Sequence, residues 1–102
     1  DRMRWGLCLV HYDCAVNCGV GGAAKQLQRA LRGLGASITI DGAVGPKTLG
    51  AIAEYPVEAI AQEYLRVREA FYRGLVSRDP KQGDFLQGWM NRLEKIRRGL
   101  GL

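Results

Sequence analysis

No run in this 102-residue chain approaches the roughly 18 consecutive apolar residues that a membrane-crossing helix needs, so no stable membrane insertion is expected. The opening also lacks the charged start, apolar middle and small-residue cleavage site of a secretory leader. Because Asp1 falls inside what reads as a continuing amphipathic pattern, a segment upstream is expected. Cysteine is scarce and odd in number, and Cys8, Cys14 and Cys18 all lie in the first helical stretch. That is not the framework of a disulfide-stapled secreted domain, and reduced thiols in a chain made in the cytoplasm are the simplest account. The lone histidine, His11, shares a helical face with Cys14 and Cys18 at spacings of three and four. One helix seldom supplies a tetrahedral ligand set, and no second cluster follows, so small buried side chains are expected there, with no metal and no cofactor. Internal repeats and low-complexity tracts are absent as well.

What is present suits one modest core. Hydrophobic residues make up 47% of the chain, enough for a single unit of one or two lobes. The net charge of +5 is scattered, densest at Lys95, Arg97 and Arg98. Such a field attracts polyanions of any kind, whether nucleic acid, an anionic membrane or a bacterial envelope rich in carboxylates and phosphates, and it equally serves as a solvated surface.

Apolar residues crowd Met3 to Cys18 on most sides, which predicts a buried helix broken by Gly19, Gly21 and Gly22. Ala23, Ala24, Leu27, Ala30, Leu31 and Leu34 then recur at helical spacing until Gly33 and Gly35 end the run. Ser37 to Ile40 alternates, a short extended stretch with Ile38 and Ile40 on one side. Asp41-Gly42 favours a tight turn, and Pro46 begins a short helix to about Ala53. Tyr55-Pro56 is a further break, after which Val57, Ile60, Ala61, Tyr64, Leu65, Arg68, Phe71, Tyr72 and Leu75 follow at steps of three and four. Asp79-Pro80-Lys81-Gln82 reads as a capped helix start, and the last helix presents Phe85, Leu86, Trp89, Met90, Leu93 and Ile96 before fraying through Gly99 and Gly101. The expected fold is all-α, about five helices in an orthogonal array.

Three stretches together resemble a known pattern. Tyr12-Asp13-Cys14-Ala15-Val16-Asn17-Cys18-Gly19, followed by Gly22 to Leu31, resembles the latter part of a family 108 glycoside hydrolase, an N-acetylmuramidase of the endolysin type. Asp41 to Leu49 resembles the turn-helix motif of several peptidoglycan-binding modules, and Phe85 to Arg92 the terminal helix of the module that follows the family 108 domain. The resemblance covers nearly the whole chain in the family's order. It implies a lysozyme-like arrangement, with residues 1–35 the C-terminal lobe of a muramidase-like domain and 36–102 a peptidoglycan-binding helical module. The departures are Cys14 and Cys18, together with the Glu-Gly-Gly segment, whose glutamate the family implies as general acid and which is not in this sequence.

Glycoside hydrolysis ordinarily needs a carboxylic acid with a raised pKa and a second carboxylate roughly 5 to 9.5 Å away. Among the acidic residues, Asp13 has the most apolar neighbourhood, one helical turn from Asn17. The resemblance implies that Asp13 and Asn17 line a cleft and hold an N-acetyl sugar or a water. The other reading is that Asp13 caps a helix or pairs with a buried arginine such as Arg29. No catalytic residue is assigned. In the loop from Asp41 through Gly42 to Thr48, backbone N–H groups at a helix start suit acyl-amide oxygens or a stem-peptide carboxylate; the same residues also serve simply to close a turn. Trp89 is placed to stack on a sugar with Arg92 beside an acid group, or to pack in the core.

The resulting expectation is a peptidoglycan-binding module acting at the bacterial cell wall or periplasm, hydrolytic only when joined to its upstream half. A homo-oligomer is a second partner, and no nucleic acid is expected. The alternative is a basic nucleic-acid-binding or protein-interaction module without enzymatic activity; a helix pair around Gly19 to Gly22 invites that comparison, but an evident recognition helix is lacking.

Overall fold

The structure, a computed structural model, describes the backbone of residues 2–102 and the side chains of residues 6–16 and 18–102. Every regular element among them is helical: α1 (Arg2–Gly33), α2 (Pro46–Glu54), α3 (Val57–Arg78), a 3-10 turn (Pro80–Gln82) and α4 (Gly83–Leu100). The expected all-α fold is the observed one.

The helix boundaries follow from local chemistry. Gly19 sits at φ 81° and ψ 163°, a conformation that essentially only glycine adopts, and it breaks α1 into segments 2–18 and 20–33. The second segment stops where Gly35 turns left-handed at φ 111°, with the Ala36 N–H on Leu31 O at 3.0 Å. Pro46 opens α2, where its missing N–H has no helical partner to lose. Asp79 caps the 3-10 turn, its carboxylate accepting from the Lys81 N–H at 3.2 Å. At the other end α4 does not fray. Gly101, at φ 73°, donates to Arg98 O at 3.1 Å and Leu102 to Arg97 O at 3.0 Å, closing the last turn.

Residues 36–40 form no strand, yet their alternation is real: Ile38 and Ile40 are half-buried while Ser37 and Thr39 face solvent. With no neighbouring strand to pair its backbone, the segment stays an irregular link between α1 and α2.

Helices α1 and α3 form the main packed pair; α4 packs on α3 and reaches α1, and α2 touches α1. Val10, Ala23, Leu31, Ile60, Ala61, Tyr64 and Leu65 are fully buried between them. Each large side chain so removed from water contributes about 1.5–3 kcal/mol. Gly6 lets α1 meet the end of α4, since a Cβ there would run into the Leu100 side chain.

Candidate functional site

The α1–α3–α4 junction encloses a charged cluster. Arg68 lies in the buried stripe of α3 and is 0% exposed. Its Nη2 donates to Asp13 Oδ2 at 2.8 Å and to the Tyr72 hydroxyl at 3.0 Å. From α4, Arg92 Nε donates to Asp13 Oδ1 at 2.7 Å, and its Nη2 reaches the same oxygen. Burial pushes the Asp13 carboxyl upward, but hydrogen bonds from Arg92 and Arg68 and the charges of both outweigh it, so its pKa lies below the ordinary value of 3.8. Arg68 Nε and Nη1 are buried with no hydrogen-bond partner. Asp13 is thus an ionised anchor joining three helices, the opposite of a carboxylic acid poised to protonate a leaving group.

The loop before α2 is organised by a residue that the sequence motifs do not single out. Gln28, 1% exposed on α1, donates through Nε2 to Asp41 Oδ1 at 3.0 Å, Ala43 O at 3.0 Å and Thr48 Oγ1 at 3.2 Å. Its Oε1 accepts from the backbone N–H groups of Asp41 at 3.1 Å and Gly42 at 3.0 Å. Asp41 Oδ1 also accepts from the Ala43 N–H at 2.9 Å, the first cause of its lowered pKa, with Gln28 the second. Gly42 takes φ 80°, and a Cβ there would stand 3.3 Å from Lys25 Cε and 3.4 Å from Gly21 O. The N–H groups of Asp41 and Gly42 are therefore already occupied by Gln28. The only sequence signal for Gln28 is a polar side chain between Leu27 and Ala30 on an inward-facing helix.

On α4, Trp89 is half-buried. It stacks on Tyr72 at 4.7 Å between centroids and 18° between planes, with Phe85 beyond at 5.9 Å. Arg68, Tyr72, Trp89 and Phe85 form one ladder across the α3–α4 contact.

The seven residues singled out in the sequence thus fall into separate places. Asp13 and Arg92 are bonded to each other and line a hollow of about 390 Å³ with Lys95 and Ile96. Asp41, Gly42 and Thr48 gather around Gln28. Trp89 edges a groove between α1, α3 and α4. The side chain of Asn17 lies outside the described residues. Arg29 is exposed, and the buried partner of Asp13 is Arg68 instead.

The thiols and the histidine have ordinary partners. His11 Nδ1 lies 2.8 Å from the Tyr64 hydroxyl, which itself donates to Ala23 O at 3.0 Å. Because a carbonyl only accepts, the imidazole Nδ1 carries the hydrogen of that contact. Burial, with the nearby Cys18 next, pushes the Cys14 thiol up to about 11. Cys14 and Cys18 sulfurs stand 3.8 Å apart, well beyond a bonded pair. Among the described residues no group of three or more metal-ligating side chains converges.

Compared with known proteins, residues 22–94 match the family model described as Predicted Peptidoglycan domain. No curated protein and no solved structure matches the chain. The matched span runs from the second segment of α1 through most of α4 and takes in the Gln28-clamped loop, Arg68 and Trp89. With well over half of its length matched, this chain belongs to the Predicted Peptidoglycan domain family.

Proposed function

We propose that the chain is the wall-binding C-terminal portion of a lysozyme-like N-acetylmuramidase, cutting the glycan only when joined to an upstream catalytic half. Membership of a peptidoglycan-domain family supports the binding part of this reading. The observation that carries the rest is the outer face of α1 just before the matched residues. Leu9, Tyr12 and Val16 are 36%, 70% and 64% exposed, on the side opposite the buried Val10 and Cys14, and Val20, just past the Gly19 break, is 78% exposed. Between residues 5 and 24 the sole charged residue is Asp13, which is buried and paired. A helix apolar on both sides needs covering on both, and the upstream part of a muramidase-like domain, with residues 1–35 as its C-terminal lobe, supplies that second cover.

The chemistry points the same way. Asp13 is the one buried carboxylate among the described residues, and two guanidiniums hold it ionised. A general acid needs the reverse. The chain alone therefore retains the polymer without cleaving it. The check is sedimentation with purified sacculi, run beside a turbidity assay. The expected result is co-sedimentation with unchanged turbidity. Loss of turbidity with the chain alone overturns the division of labour. A chain left in the supernatant that instead shifts DNA with a steep salt dependence overturns wall binding altogether.

A further inference from the structure

The groove edged by Trp89 holds a polar group whose bonding is incomplete. It has a volume of about 350 Å³ and runs between the second segment of α1 and the α3–α4 pair. Its floor includes Gln26, 1% exposed. Among the described residues the Gln26 Nε2 donates only to the Cys18 sulfur, at 3.4 Å, and its Oε1 has no hydrogen-bond partner. A thiol is a weak acceptor, so turning the buried amide toward an entering donor would forfeit only that one weak bond. By contrast Gln28, two residues on, has five hydrogen-bonding contacts to its amide, with both the nitrogen and the oxygen engaged.

The rest of the groove has a matching chemical order. Phe71, Leu75 and Trp89 make an apolar wall. Lys25 and Arg29, one helical turn apart on α1, stand exposed at the rim and form no ion pair among the described residues. Among the described residues no acidic side chain lines the groove. A buried acceptor beneath an aromatic wall, with two cations above it, fits a ligand carrying an amide N–H, an apolar face and a carboxylate.

We propose that this groove is the ligand site of the module and takes an N-acylated amino sugar bearing a carboxylated peptide, the amide N–H meeting Gln26 Oε1 and the carboxylate meeting Lys25 and Arg29. This rests on the wall-binding reading and names the site and the ligand chemistry for it. A carboxylate and an amide also occur together in a free peptide, so the probes separate the sources.

The experiment titrates the whole chain with N-acetylmuramoyl-dipeptide, the free dipeptide and chitotriose, and repeats it with Gln26→Met and with Lys25→Gln/Arg29→Gln. Muramoyl-dipeptide should bind best and chitotriose, which has no carboxylate, not measurably. Removing the acceptor with Gln26→Met, a near-isosteric change, should weaken binding about tenfold without lowering the melting temperature. The double charge removal should weaken it at least as much and flatten its salt dependence. Binding of muramoyl-dipeptide by Gln26→Met within twofold of wild type, or equal binding of chitotriose, overturns the site. Tightest binding of the free dipeptide overturns the sugar component. The same proteins are sedimented with sacculi: if every variant still co-sediments, wall binding stands and this groove is not its site. If the wild type binds muramoyl-dipeptide yet leaves sacculi alone, the site stands and wall targeting falls.

Discussion

A carboxylate inside a helical core has to be matched, and Asp13 shows how the match is made. Its two guanidiniums come from 55 and 79 residues away. Replacing it with alanine leaves Arg68, wholly buried, without its counter-charge, and breaking a buried pair in this way costs roughly 3–5 kcal/mol. The apolar double variant Asp13→Leu/Arg68→Met should recover much of that loss, because it removes both desolvated charges together. Arg92→Ala should cost about 1 kcal/mol or less, its side chain being 52% exposed and screened by water. Urea denaturation of the four proteins checks the order, and an Asp13→Ala variant within 1 kcal/mol of wild type would remove Asp13 from its anchoring role. The same group predicts an acid limb. A carboxyl whose folded pKa is below its unfolded value stabilises the fold above that unfolded value, and the benefit disappears as pH falls through the folded one. For Asp13 the loss begins near 3.8 and continues below it. His11, lowered by burial, acts in the same direction starting from 6.5, because the unfolded chain takes up a proton that the folded chain resists. Melting temperature should therefore decline in two stages on acidification, and His11→Gln should remove the upper stage alone.

At the scale of elements, what was legible in the sequence is what short-range chemistry decides. Gly19, Pro46, Tyr55-Pro56 and Asp79-Pro80 mark the breaks and starts where the helices break and start. The heptad-like stripe of α3 included Arg68, so its burial could be read from spacing, while its partner could not. Asp13 had a buried arginine as one expectation, with Arg29 the example, and pattern alone does not distinguish arginines one helix apart from those two helices apart. Gln28 went unnoticed because a single polar residue on an apolar helix face looks the same from sequence whether it clamps a loop or faces solvent. Gly19 offers the sharpest test at this scale. No atom lies within 4 Å of where its Cβ would be, so Gly19→Ala meets no clash and its whole penalty is backbone. That penalty should be about 1–3 kcal/mol. Gly21→Ala, in helical backbone with equally open surroundings, should be neutral or mildly stabilising. Comparable effects at the two positions would mean that α1 runs straight through Gly19.

For the molecule as a whole, the uneven distribution of charge matters more than its sum. A net +5 keeps copies apart over most of the surface, yet the exposed apolar residues Leu9, Tyr12 and Val16 of the first segment of α1, and Val20 just past the Gly19 break, carry no charge to oppose association. An exposed apolar strip of this kind marks a contact surface. If it is the face that an upstream lobe covers, the chain alone has it bare, and two outcomes follow. The chain should bind a hydrophobic dye such as ANS while its near-UV circular dichroism remains that of a packed fold, which separates an exposed strip from a molten core. Its elution volume should also shift toward larger species as concentration rises. Val16→Lys/Val20→Lys puts two cations on that strip at positions already 64% and 78% exposed, so the folded state has little to lose, about 0.5 kcal/mol at each site at most. This variant should lose most of the dye signal and elute as a monomer at all concentrations while keeping its melting temperature and its retention on sacculi. A variant that unfolds would show that these side chains are covered within the single chain, and one that binds dye undiminished would place the apolar surface elsewhere, on the hollow formed by Leu27, Val44, Leu49 and Ile52 beside α2.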